Sequence, residues 1–160
     1  MKNFITTLLC VSTILSATAA DIYVNNSGQQ GTYTSINAAI AAANSGDNIY
    51  ISPFSVYTED ISIDKSISLI SGVSDTYFNV VGTIDVTGFG AGKVKFIGLS
   101  VSENINGTDG TSSLFNETEI YIIDCKVGGS VYFNNVYYID VHVYYSTVED
   151  QIRCTKGEFI

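Results

Sequence analysis

The stretch of sequence that decides the fold spans residues 34–72 and reads TSINAAIAAANSGDNIYISPFSVYTEDISIDKSISLISG. Apolar residues repeat at helical spacing in its first part, which predicts a helix over about residues 35–45 with Ser35 as N-cap and Gly46 after the last turn. The remainder alternates apolar and polar residues with period two, as is typical of short β-strands. The stretch therefore predicts one amphipathic helix followed by a series of strands.

Strand patterns continue along the rest of the chain, and some of them repeat. Residues 96–101 (FIGLSV) align with residues 122–127 (IIDCKV) and 143–148 (VYYSTV), at offsets of 26 and 21 residues. Such offsets are typical of one coil of a solenoid. The longer offset contains ENINGTDGTSS at residues 103–113, which predicts a loop that leaves the coil. Asn-Gly and Asp-Gly are typical of hairpin turns, and a sandwich needs such turns between neighbouring strands. Here both dipeptides fall in one loop, so the pattern favours a parallel solenoid of about five coils over a sandwich of hairpins.

The composition fits a single β-rich domain. The chain has 160 residues, of which 46% are apolar and 14% charged, with 11 Tyr and one Pro, so a disordered chain and a helix bundle are excluded. The formal net charge is −9. Nucleic acids and anionic membrane surfaces are held by basic residues, so neither is an expected partner.

Residues 1–20 have the features of a signal peptide. Lys2 precedes an apolar stretch that ends in small residues, and cleavage after Ala19 or after Ala20 fits the pattern. This divides the chain into a signal peptide at 1–20 and a β-helix domain at 21–160. The mature protein is expected to be secreted or displayed at the cell surface, with no membrane span. The strand pattern ends in an incomplete coil, which is also compatible with the chain being the N-terminal part of a longer protein.

Residues 34–72 resemble the N-terminal cap and first coils of right-handed parallel β-helix proteins of the pectin-lyase-like superfamily, over about a quarter of the chain. The matching residues are Ile36, Ala39, Ile40, Ala42, Ala43, Gly46, Asp47, Ile49, Ile51, Pro53, Tyr57, Glu59, Ile61, Ile63, Lys65, Ile67, Leu69 and Gly72. At the turn, Phe54-Ser55-Val56 replaces Gly-x and is one residue longer. The resemblance implies an all-β, right-handed parallel β-helix with a short N-terminal capping α-helix.

Enzymes with this fold are mostly polysaccharide lyases, hydrolases and esterases, so the resemblance also implies candidate catalytic residues. These are Asp124, Asp140, Asp150 and Arg153, since such enzymes use carboxylates and a basic residue, with calcium in the lyases. No Asp recurs at one position of the aligned coils, and His142 has no second ligand at metal spacing. The sequence therefore favours a non-catalytic chain without metal or cofactor, and calcium is expected only if the chain is a lyase.

Tyrosines provide the candidate carbohydrate-binding residues, Tyr132, Tyr137, Tyr138, Tyr144 and Tyr145. Adjacent tyrosines on a strand place one ring on each side, so some rings face outward, where they can contact sugars. Packing of the rings along the solenoid is the alternative interpretation. We predict a module that binds a polysaccharide or glycan, or serves in surface attachment. Two alternatives are the N-terminal portion of a polysaccharide lyase or pectinesterase-like enzyme with catalytic coils beyond residue 160, and a scaffold that self-associates through an uncapped C-terminal end.

Two kinds of covalent modification are compatible with export. Asn25, Asn106 and Asn116 each begin a glycosylation sequon, which predicts glycans in a eukaryotic host. Cys125 and Cys154 are the cysteines of the mature chain. The sequence is compatible with a disulfide between them and equally with two free thiols that pack as small apolar side chains.

Overall fold

The computed structural model describes residues 18–87, 92–108, 118–134 and 139–155. Within these ranges the chain forms one short helix and sixteen strands. In chain order they are β1 (Asp21–Val24), α1 (Ile36–Ala42), β2 (Asn48–Ile51), β3 (Val56–Thr58), β4 (Ile61–Ile63), β5 (Ile67–Ser71), β6 (Phe78–Val81), β7 (Ile84–Thr87), β8 (Gly92–Ile97), β9 (Leu99–Val101), β10 (Ile105–Thr108), β11 (Thr118–Ile123), β12 (Lys126–Val127), β13 (Val131–Asn134), β14 (Ile139–Tyr144), β15 (Thr147–Val148) and β16 (Ile152–Thr155).

The strands form three parallel sheets. Sheet A has the order β1-β2-β5-β8-β11-β14, sheet B β15-β12-β9-β6-β3, and sheet C β16-β13-β10-β7-β4. Each coil contributes one strand to each sheet in turn, which confirms the all-β parallel β-helix of about five coils. Ile122 pairs with Phe96 on one side and with Val143 on the other, so the predicted offsets of 26 and 21 residues are correct.

The core lies between the three sheets and consists of the inward-facing residue of each alternating pair. In sheet A one inward row runs Ile22, Ile49, Leu69, Phe96, Ile122 and Val143. The middle four of these side chains are fully buried. Burial of similar side chains in every coil is what fixes the register, because a shift by one residue would turn each row outward.

The repeated segments bend at equivalent corners between sheets A and B. The bend residues Gly98, Asp124 and Tyr145 have φ angles of 67°, 49° and 52°. A single left-handed residue redirects the chain there, and Asp124 and Tyr145 adopt this conformation at a cost of about 1–2 kcal/mol each. Each segment therefore contributes two short strands on different faces.

The loop predicted at residues 103–113 is wrong in part, because Ile105–Thr108 is strand β10 of sheet C. Ile105 is fully buried and pairs with Ile84 and Val131 in the neighbouring coils. The Asn-Gly pair by itself indicates a turn. Backbone hydrogen bonds to the strands on both sides, β7 and β13, outweigh this local preference. Residues 109–117 lie outside the described residues.

Helix α1 covers the first coil, as predicted, although it is shorter than residues 35–45. It buries Ile36, Ala39 and Ile40, and the Ser35 hydroxyl accepts a hydrogen bond from the Ala38 N–H at 3.3 Å. Gly46 follows the helix with a φ of 102°. The helix thus shields the apolar end of the solenoid from water.

Two charged side chains of the first coil hold α1 at its ends. The Glu59 carboxylate accepts hydrogen bonds from the Ile36 N–H at 2.8 Å and from the Ser35 hydroxyl at 2.8 Å. The Lys65 ammonium donates to carbonyl oxygens of the last turn, including that of Ala43 at 3.2 Å. An anion at the N-terminus and a cation at the C-terminus both match the helix dipole.

Within the described residues the two cysteines, Cys125 and Cys154, are free thiols, so the disulfide that the sequence allows is not formed in this structure. Cys125 is buried and Cys154 is exposed. Burial raises the pKa of the Cys125 thiol to about 11.

We expect one fast-reacting thiol per folded molecule of the mature chain. Burial also raises the pKa of Cys154, but its side chain is exposed. Cys154 should therefore react with a thiol-specific disulfide reagent at mildly alkaline pH, and Cys125 only after unfolding, because the reagent needs an accessible thiolate. The Cys154→Ser variant should lose the fast reaction. A wild-type chain with no reactive thiol before reduction, even when unfolded, would instead indicate a disulfide.

Candidate functional site

Sheet A carries a continuous row of aromatic and aliphatic side chains on its outer face. One residue of each strand contributes, and the residues pair in register from coil to coil. These six residues, termed the outer row, are Tyr23, Tyr50, Ile70, Ile97, Ile123 and Tyr144. The row crosses six strands and is therefore about 24 Å long. Tyr23 is 52% exposed and Tyr144 47%, so the aromatic residues at the two ends are the most accessible.

Two adjoining clefts follow the outer row. The first has a volume of about 310 Å³ and is lined by Tyr23, Tyr50 and Phe54 and by polar residues that include Asn25 and Gln29. The Tyr23 and Tyr50 rings stack at 5.6 Å between centroids, and Phe54 is 84% exposed. The cleft therefore combines apolar rings with amide groups, which is a usual composition for small-molecule sites.

The second cleft has a volume of about 250 Å³ and is lined by Ile70 and Ile97 of the outer row. Val73 lines both clefts, so they are neighbours along the corner between sheets A and B. Polar residues, including Asp75 and Asp124, also line the second cleft. A lining that contains both apolar and polar residues suits a ligand that has both apolar faces and hydroxyl groups.

The C-terminal part of the outer face carries a second set of stacked rings. The Tyr121 and His142 rings stack at 4.7 Å, and His142 and Tyr144 at 6.3 Å. Val141 and Val143 pack against the core, so His142 faces outward between them. Tyr121 and His142 stack between neighbouring coils, whereas His142 and Tyr144 are two residues apart on β14 and stack along that strand.

A charged pair borders these rings. The Lys93 ammonium lies 2.9 Å from the Glu119 carboxylate, and the Tyr121 hydroxyl donates a hydrogen bond to the same carboxylate. The Tyr121 hydroxyl, followed by Lys93, holds the pKa of Glu119 below its usual value. Glu119 is therefore an ionised acceptor at neutral pH, not a general acid.

The structure separates the tyrosines that the sequence groups together. Tyr144 lies in the outer row, and Tyr145 lies at the corner between sheets A and B, where it is 93% exposed. Tyr132 is half-buried in sheet C, and the Arg153 guanidinium lies 5.9 Å from its ring centroid. Tyr137 and Tyr138 lie outside the described residues.

Sequence reasoning missed Tyr23, Tyr50 and Phe54, which line the first cleft. Both tyrosines follow an isoleucine in a short alternating strand, IYV and IYI, and that shared position was the available signal. The inward-facing isoleucines Ile22 and Ile49 put both rings on the outside.

The predicted catalytic residues do not converge. Asp124 accepts a hydrogen bond from the Tyr77 hydroxyl at 2.9 Å, Asp140 is exposed on sheet A, and Asp150 accepts one from the Ser130 hydroxyl at 2.6 Å. Arg153 is in sheet C, and each of the four has a different setting. Among the described residues, no three His, Cys, Asp or Glu side chains are grouped so that they could hold a metal ion.

Two of the predicted glycosylation residues lie within the described ranges. Asn25 is in an exposed turn, where its side-chain oxygen accepts the Ser27 N–H at 3.0 Å. Asn106 is on the outer face of sheet C and donates to Asp85 at 2.9 Å. Asn116 lies outside the described residues.

The structure bears on two further sequence expectations. Of the helices in the described ranges, none is long and apolar enough to cross a membrane. At the C-terminal end, Ile152 of the last described coil is 53% exposed. Self-association through this end stays a prediction, and residues 156–160 lie outside the described residues.

The pairing of the strands and the composition of the outer face define a parallel β-solenoid that is capped by a helix at its N-terminal end and carries an aromatic and aliphatic row along one sheet. No family model matches the chain, and the searches of curated proteins and of solved structures find no match.

Proposed function

We propose that this chain is a secreted β-helix protein, distantly related to the pectin-lyase-like superfamily, that binds a polysaccharide along the outer face of sheet A without cleaving it. The observation that carries the proposal is the outer row with its two adjoining clefts. An elongated ligand with a repeating unit suits this surface, because the row repeats with the strand spacing over about 24 Å.

The chemistry of the clefts favours sugars over purely apolar ligands. The Tyr23, Tyr50 and Phe54 rings offer apolar surface to the C–H faces of a sugar. The side chains of Asn25 and Gln29 hydrogen-bond to each other at 3.4 Å and offer their remaining N–H donors to its hydroxyls. The stacked Tyr23–Tyr50 pair presents rings that are already ordered by each other. Little side-chain entropy is then lost when a ligand binds.

The charge of the chain favours a neutral polymer. Without residues 1–20 the formal charge becomes −10, because Lys2 is the only charged residue removed. Asp75 and Asp124 also line the second cleft. A polymer of acidic sugars would be repelled by this field, so we expect stronger retention by neutral polysaccharides than by polyuronates.

The Tyr23→Ala/Tyr50→Ala double variant tests the site. We expect it to bind a retained neutral polysaccharide at least about tenfold more weakly than wild type, because two ordered rings are lost from one cleft. Affinity electrophoresis in polysaccharide-containing gels measures the change. Tyr132→Ala is the matched control, since it removes a tyrosine from sheet C, and it should migrate as wild type does.

Two outcomes would argue against the site. Equal retardation of the double variant and wild type would remove the outer row from binding. Loss of binding in Tyr132→Ala alone would move the site to sheet C. Circular dichroism of each variant establishes that the fold is retained.

A further inference from the structure

Asp47 is a buried carboxylate beside the start of the described chain. It is 3% exposed and lies in the connection between α1 and β2. Its Oδ1 accepts the Ala20 N–H at 2.7 Å, and its Oδ2 accepts the Asn44 N–H at 2.8 Å. The ion pair within the described ranges joins Lys93 to Glu119. No lysine or arginine among the described residues is therefore paired with Asp47. A buried carboxylate is costly unless it is hydrogen-bonded and paired with a positive charge.

We propose that the leader is removed by hydrolysis of the Ala19–Ala20 bond and that the new α-ammonium of Ala20 forms an ion pair with Asp47. In this step the peptide C–N bond breaks, and water supplies a hydroxyl to the Ala19 carbonyl carbon and a proton to the Ala20 nitrogen. At neutral pH the amine takes up a second proton. The nitrogen that already contacts Asp47 then carries the missing positive charge.

The local structure distinguishes this bond from its neighbour. Cleavage after Ala20 would remove the donor at 2.7 Å from Asp47 and leave Oδ1 of a buried carboxylate without it. It would also remove the Ala20 carbonyl oxygen, which accepts the Asn48 N–H at 2.9 Å and extends the pairing of β1 with β2. Cleavage after Ala19 keeps both interactions. Ala17 and Ala19 are then the two small residues that a leader peptidase requires before its cleavage point.

Two further observations support the inference. Ala19 and Ala20 are exposed, so the bond is at the surface. The hydrogen bonds from Ala20 and then Asn44 lower the pKa of Asp47 from its ordinary value. The carboxylate therefore stays ionised at neutral pH, and the stability that it contributes is present above its ordinary pKa and is lost as the pH falls through the lowered value.

N-terminal sequencing and intact-mass measurement of the exported protein test the cleavage. The full chain, produced in a secreting host, should begin with Ala20. A first residue of Asp21, or any other first residue, overturns the proposal. This test rests on the proposed export, and its outcome is independent of polysaccharide binding.

Thermal unfolding of chains with defined ends tests the ion pair without export. Residues 20–160, the same chain acetylated at Ala20, and residues 21–160 are each released from a removable N-terminal fusion. Acetylation keeps the N–H donor and removes the charge. We expect the unfolding midpoint of the free-amine chain to exceed that of the acetylated chain by about 3 °C or more, and that of 21–160 to be lower still.

Asp47→Asn in the 20–160 background provides the second variant. It keeps the size of the side chain and removes the negative charge, so acetylation should then have no effect on the midpoint. Equal midpoints for the free-amine and acetylated wild-type chains would contradict the ion pair. An acetylation effect that survives Asp47→Asn would assign it to another partner and would also contradict the proposal.

Discussion

Replacing Gly107 with alanine is expected to lower the free energy of unfolding by about 3 kcal/mol or more, which is the largest effect that we expect from a methyl group added at any of the described glycines. A Cβ atom at this position would lie 1.8 Å from Cδ1 and 2.0 Å from Cε1 of the Phe133 ring. Phe133 is fully buried in the next coil, where the core leaves little room for the ring to move. The coil must therefore open or the ring must leave its rotamer.

Chemical unfolding monitored by circular dichroism measures this change. Thr108→Ala is the matched control, because it alters the next residue of the same strand at an exposed position, and its stability should be close to that of wild type. Phe133→Leu should partly rescue Gly107→Ala, since leucine lacks the Cε1 atom of the ring and its smaller side chain leaves more room for the added methyl group. A Gly107→Ala protein as stable as wild type would show that the two coils do not pack in this register.

Replacing Glu59 with alanine is expected to lower the free energy of unfolding by about 3 kcal/mol, because several charge-assisted hydrogen bonds and the N-terminal anchor of α1 are lost together. One oxygen accepts the Ile36 N–H at 2.8 Å. The other accepts the Asn37 N–H at 3.1 Å and the Asn37 side-chain amide at 2.9 Å. With the cap detached, the apolar end of the first coil becomes exposed to water.

Glu59→Gln should be intermediate in stability. One side of the glutamine amide can still accept, but its NH₂ group must face donors on the other side. Glu103→Ala, which removes an exposed carboxylate, is the control for the change in net charge. If Glu59→Ala unfolds at the same denaturant concentration as this control, the carboxylate does not hold the helix.

Much of the fold could be predicted from periodicity. The alternation around Phe96, Ile122 and Val143 predicted both the strands and the coil offsets, because the same inward positions are filled in each coil. The cap helix was likewise readable from Ser35 and the helical spacing that follows. These are local or strictly repeating features, which sequence patterns report well.

The corners and the strand β10 could not be predicted in the same way. Asp124 and Tyr145 adopt left-handed φ angles although neither is glycine, because pairing with neighbouring coils imposes the bend. Asn106-Gly107 has the composition of a turn, but Gly107 is needed to make room for Phe133. In each case contacts between coils prevail over local preference.

The candidate site also depends on the register between coils. The tyrosines at 132–145 are close in sequence, but Tyr132 lies in sheet C and Tyr144 in sheet A. Tyr23 and Tyr50 are 27 residues apart and stack on each other, because they are paired across neighbouring strands. Knowing which rings share a face requires the register between coils, which the sequence repeats indicate only for the later coils.

The measurement that tests the central claim most directly is the incubation of the mature wild-type chain with immobilised neutral and acidic polysaccharides, with and without calcium. Bound protein and released sugar are recorded in the same samples. We predict retention by at least one neutral polymer, independent of calcium and without reducing or unsaturated products. Release of such products would instead indicate the lyase or esterase alternative, and absence of retention by every polymer would contradict carbohydrate binding by the outer face of sheet A.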